Sequence, residues 1–221
     1  METVGTHNHS RVRALEFLGG GSLAESVAGA GAMVLAILAL TGIEVIYLGA
    51  VATIAMGAAL LFEGGAIAAE YSRILASLKD DSLSNLELGG GMTAESVAGI
   101  AGIVLGVLAL LGVAPLSLMA VAVLVFGSAL IIGTAANLRL RDLSLDGRNL
   151  DPRAHRTIRA FVSATAGTQV LVGVGALVLG IIALQGIAPL TLVMVGLLGL
   201  GSAVLLSGTA LGAEMLEEAT D

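Results

Sequence analysis

The sequence predicts an all-α, polytopic membrane protein of six transmembrane helices, built as three repeated hairpins. Three observations carry that expectation. A segment AESVAGAGAMVLAILALTG (Ala24–Gly42) returns as AESVAGIAGIVLGVLALLG (Ala94–Gly112) and again as TQVLVGVGALVLGIIALQG (Thr168–Gly186), at offsets of 70 and 74 residues. Fixed-period similarity of this kind marks a repeat architecture. The composition is 57% hydrophobic and 12% charged, with a mean hydropathy of +1.00. Soluble domains carry roughly a quarter charged residues, so this chain could not cover itself in water. Finally, the apolar residues lie in uninterrupted runs, and about 20 residues at 1.5 Å rise span a hydrocarbon layer of about 30 Å.

The runs are Val27–Ile43, Val45–Phe62, Val97–Met119, Ala120–Ala136, Val170–Leu184 and Ile187–Leu206, none with a charged residue. They are apolar on every side and too long for barrel strands, which alternate apolar and polar over about 10 residues. Arg11 and Arg13 precede the first run, as in a signal peptide. That run recurs in the other repeats, so it is assigned to the fold and not to a cleaved leader.

The expected organisation is an N-terminal segment (1–22), hairpin one (23–70), a connection (71–92), hairpin two (93–138), a basic connection (139–160), hairpin three (161–213) and an acidic tail (214–221). Pro115 and Pro189 hold equivalent places just after the hairpin turns and suit a helix start, with Val45 at that place in hairpin one. The connection Leu75–Gly91 is polar and is expected to contain a short surface helix. Asp151-Pro152 reads as an N-cap with proline at the first helical position, so the fifth helix is expected to begin before the membrane.

All ten Lys and Arg residues fall on one side of this six-helix scheme, and the three hairpin turns carry none. Loops rich in Lys and Arg face the cytoplasm. Both termini and the long connections are therefore expected to be cytoplasmic, in a multi-pass inner-membrane protein. Arg153, Arg156 and Arg159, at helical spacing, are expected to reach lipid headgroups. A net charge of −7 with ten scattered basic residues offers no nucleic-acid face.

With 31 glycines and no tryptophan, the helices are expected to pack closely through small residues. The stripes Ala32-x-x-x-Ala36, Gly102-x-x-x-Gly106 and Ala176-x-x-x-Gly180 recur in the first helices. Gly57, Gly127 and Gly201 coincide in the second helices. Such contacts serve within a chain or between chains, so a homo-oligomer or a membrane-complex subunit is expected, with the lipid bilayer as the general partner.

The segment GIVLGVLALLGVAPLSLMAVAVLVFGSALIIGTAANLR (Gly102–Arg139) combines spaced glycines, a turn with Pro115 and Gly127 in the following helix. The third hairpin repeats this with Gly180, Pro189 and Gly201, while the first has Ala36 and Val45 at the matching places. This pattern resembles the HdeD-type family of short-repeat bacterial membrane proteins over residues 23–213. The resemblance implies an inner-membrane protein linked with acid stress, and it supplies no catalytic residues.

The polar residues with chemical interest are few. Glu25, Glu95 and Gln169 share one place in the three repeats, and Glu44 lies 19 residues after Glu25 and 19 before Glu63. Nineteen residues rise about 28 Å, which puts Glu25, Glu63, Glu95 and Gln169 near one edge of the apolar core. Ionisable groups within a membrane are costly and mark ion or proton paths, so these four are candidates for ion or proton handling. The plainer alternative for Glu25 and Glu95 is helix capping or a place at the membrane interface, with Ser22-x-x-Glu25 as a capping box. For Glu63, at a place held by Gly133 and Ser207 elsewhere, the alternative is a hydrogen-bonded structural carboxyl.

GGGSLA (Gly19–Ala24) and GGGMTA (Gly89–Ala94) have the spacing of a dinucleotide loop but no preceding strand, and are expected to be flexible lead-ins to helices. His7-x-His9 and His155 are expected to be solvated, so no metal and no cofactor is assigned. No nucleophile–base or zinc-protease constellation is present in the sequence. The expected function is non-enzymatic: a structural or stress-related membrane protein. The alternative is a channel or transporter for protons, ions or small solutes.

Overall fold

A computed structural model describes the backbone of residues 24–77, 85–146 and 152–218, and the side chains of 24–65, 94–135 and 166–207. Among the described residues the chain is all-helical: α1 (Ala24–Leu40), α2 (Val45–Ser77), α3 (Asn85–Leu110), α4 (Pro115–Asp146), α5 (Pro152–Leu184) and α6 (Pro189–Glu218). Segments of α2, α4, α5 and α6 are long and apolar enough to cross a membrane: Val45–Gly65, Pro115–Ala135, Ala166–Leu184 and Pro189–Ser207. The apolar stretches of α1 and α3, Ala24–Leu40 and Ala94–Leu110, are shorter. By length and composition this is a multi-pass membrane protein.

Pro115, Pro152 and Pro189 are each the first residue of a helix, where a missing N–H costs nothing because that donor has no intrahelical partner. The turns α1–α2, α3–α4 and α5–α6 share one backbone conformation. Gly42, Gly112 and Gly186 have φ of 90°, 81° and 81°, and Glu44, Ala114 and Ala188 have φ of 38°, 37° and 40°. The first position of each pair is a helix C-terminus in the left-handed region, which glycine occupies without steric cost. The second position holds a non-glycine residue in the same region, and so stores strain.

The helices run further than the sequence suggests at the opposite end. The expected boundaries at residues 70 and 138 fall inside α2 and α4. Within Leu75–Gly91, where a short surface helix is expected, α2 continues to Ser77 and α3 starts at Asn85, and residues 78–84 lie outside the described ones. The Gly89–Ala94 segment, expected as a flexible lead-in, lies within α3. Glycine weakens a helix, but backbone groups bordering an apolar layer are best satisfied by the helix's own hydrogen bonds.

Helices α2, α4 and α6 touch one another and form the centre. Helix α3 fills the seam between α2 and α4, and α5 the seam between α4 and α6. Helix α1 meets α6, where the Gly29 and Gly201 backbones approach. The exposed large aliphatics concentrate on the outer helices, for example Val27, Val97 and Leu171. The buried positions of the central helices recur every three to four residues, which is the period of one helix face. Repeat-equivalent residues form apolar layers there: Met56, Phe126 and Leu200, then Leu60, Leu130 and Val204, all buried. Large and small residues complement each other. The Met194 and Met119 side chains occupy the space beside Gly49, and the Phe126 ring lies against Gly102.

Candidate functional site: a buried carboxyl cluster

The seams are closed by paired glycines. A methyl group on Gly57 would lie 2.7 Å from the Gly99 carbonyl oxygen, one on Gly127 2.8 Å from that of Gly173, and one on Gly201 2.9 Å from that of Gly29. These approaches bring α2 onto α3, α4 onto α5 and α6 onto α1. The stripe residues serve the same contacts. Ala32, Ala36 and Ala176 are buried, Gly106 sits against Ala50 and Ile54, and Gly180 against Ala120 and Leu124. The small-residue stripes are thus occupied within the chain, so they do not by themselves require a second copy.

Glu63 stands one helical turn beyond the Leu60, Leu130 and Val204 layer, at the end of the bundle opposite the tight turns. Glu25 and Glu95 reach the same place from α1 and α3, and the three carboxyls lie within electrostatic reach of one another. All three are buried, with relative exposures of 0% for Glu25, 1% for Glu95 and 3% for Glu63. The Glu95 carboxyl occupies the notch left by the absent side chain of Gly133. The Ser207 hydroxyl donates to Glu63 Oε1 at 3.3 Å. Both oxygens of Glu25, Oε2 of Glu63 and Oε2 of Glu95 are buried without a hydrogen-bond partner. Buried polar atoms nearly always have one, because leaving them unpaired costs about 1–3 kcal/mol, and more for a charged group.

Gln169, the repeat-equivalent of Glu25 and Glu95, is also buried but is tied down. The Thr134 hydroxyl lies 3.1 Å from Gln169 Oε1 and 2.6 Å from the Leu130 carbonyl oxygen, and donates to one or the other. Glu25, Glu63, Glu95 and Gln169, singled out on depth alone, are therefore all buried in the bundle. The capping role for Glu95 is corrected: α3 begins at Asn85, so Glu95 sits well inside the helix, where no free N–H groups remain for it to cap. Ser22, the partner in the Glu25 capping box, lies outside the described residues, as do His7 and His9. Arg153, Arg156 and Arg159 lie on α5, but their side chains are outside the described set, as is that of His155.

Sequence reasoning missed Gly29, Gly99 and Gly173 as the partners of Gly201, Gly57 and Gly127. Their signal was present, since the three hold one place in the repeats. It also missed Gly133 and Ser207 as shapers of the carboxyl site. Among the described residues no group of three or more His, Cys, Asp or Glu is placed to hold a metal ion. No family model matches the chain, and no curated protein and no solved structure matches it.

Proposed function

We propose that this is a non-enzymatic inner-membrane protein of six spans in three hairpins, with both termini in the cytoplasm and a structural or stress-related role. The observation that carries the reading is the sealed centre of the bundle. The layers Met56, Phe126, Leu200 and Leu60, Leu130, Val204 close the space among α2, α4 and α6 with buried apolar side chains. A conducting path needs polar groups along its length, and these layers offer none. Thr53, the buried hydroxyl in this stretch, is spent on the Gly49 carbonyl oxygen of its own helix at 2.8 Å. The six-span reading rests on the equivalent turns, which put α1 and α3 at the place that α5 holds in the third hairpin.

The one-sided Lys and Arg supply the orientation. The resemblance to HdeD-type proteins supports the link to acid stress, with the protein acting as a homo-oligomer or within a membrane complex. The channel or transporter reading is favoured by one observation, the buried carboxyls, but they sit at one end of a closed axis. Reconstitution into liposomes separates the two. Neither protons nor small cations should leak faster than from empty liposomes, and Glu63→Gln should leave that rate unchanged. A flux that depends on Glu63 would reverse the assignment. For orientation, cysteines at Glu44 or Leu190 should react with an impermeant thiol reagent in intact cells, and cysteines at Asn8, Asp80 or Arg148 should not.

A further inference from the structure

Three carboxyls from three helices meet in a buried site with four unpartnered oxygens between them. Among the described side chains there is no Lys, Arg or His to offer relief. The Ser207 hydroxyl of α6 faces the cluster, while Thr134 of α4 and Gln169 of α5 bond to each other; none of the three titrates in the ordinary range. The carboxyls are not placed to coordinate a metal ion. A carboxylate can only accept hydrogen bonds, whereas a carboxylic acid also donates one. The missing donor can thus come from the cluster itself.

We propose that Glu25, Glu63 and Glu95 form a proton-binding site, in which a proton on one carboxyl is donated to an unpartnered oxygen of a neighbour. Uptake converts one carboxylate and one hydronium ion into a carboxylic acid and water. Glu63 is the anchored member, held through Oε1 by Ser207, and Glu95 is seated in the Gly133 notch. Glu25, with the Ser207 side chain near but no hydrogen bond of good geometry on either oxygen, depends most on a shared proton. Exchange takes place at the end of the bundle opposite the tight turns, because the apolar layers close the other side. The site therefore binds protons without passing them through.

The test uses the full chain in liposomes. Infrared spectra taken across a pH series should show a carboxylic C=O band that shifts in heavy water and weakens reversibly as pH rises. Glu25→Gln, Glu63→Gln and Glu95→Gln should each remove or shift part of it. A hydrophobic carbodiimide, which reacts with the protonated acid, should form adducts on the cluster and not on Glu44. This second measurement needs only the unaltered protein, so a variant that fails to fold does not blunt the test. Absence of both the band and the adducts would overturn the proposal. A band that never changes with pH would also do so, by making the carboxyls a fixed structural element. Protection from the carbodiimide by sodium at constant pH would show a metal cation in the proton's place. A proton flux would undo the sealed-bundle reading but leave proton binding intact.

Discussion

The α2–α3 seam gives the sharpest quantitative test. At Gly57 an alanine methyl would lie 2.7 Å from the Gly99 carbonyl oxygen, 2.9 Å from the Ile103 nitrogen and 3.1 Å from Ile103 Cγ1. Two of these atoms are backbone, so they cannot rotate away, and the helices must move apart. Overpacking of this kind costs about 1–3 kcal/mol. Against it stands a gain of up to about 1 kcal/mol, because alanine is the better helix former. At Gly31 a methyl group would meet nothing within 4 Å, so Gly31→Ala keeps the gain without the clash. The two variants should therefore differ by about 2 kcal/mol, which for about 220 residues corresponds to roughly 4–8 °C in Tm. Thermal unfolding in one detergent, read by circular dichroism or light scattering, measures the gap. Equal stability of Gly57→Ala and Gly31→Ala would refute the close-packed seam.

Two further outcomes follow from the same geometry. Ala114→Gly and Ala188→Gly relieve left-handed strain at φ of 37° and 40° and should stabilise by up to about 1 kcal/mol, whereas Gly112→Ala at φ 81° should destabilise; the same thermal assay reads both. Gly133→Ala should evict the Glu95 carboxyl from its notch and destabilise by about 1–3 kcal/mol, while Gly65→Ala, with open space around it, should not.

Much of the fold could be read from residue types alone. The offsets of 70 and 74 residues, together with Pro115 and Pro189, located the turns, and the structure starts α4 and α6 at those prolines. Asp151-Pro152 did the same for α5. These signals are local: a proline's missing N–H and fixed φ act on its own turn, whatever the rest of the chain does. The far ends of α2, α3 and α4 carry no such marker, and there α2 and α4 run on past residues 70 and 138 and α3 begins at Asn85. The small-residue stripes identified the faces that pack, but small residues are compatible with any close neighbour, so they could not name the partner.

Composition and repeat pattern by themselves determined a helical membrane protein with four carboxyl or amide side chains at one depth. Those properties follow from the period and hydropathy of single segments. Only the tertiary structure decided that α2, α4 and α6 form the centre, that Gly201 meets Gly29 and joins α6 to α1, and that Glu25, Glu63 and Glu95 converge. Depth along a helix is set by rise per residue, but the direction a side chain faces across the bundle depends on which helix packs beside it. That choice is made by contacts between segments far apart in the chain, and it turned three acids of similar depth into one site.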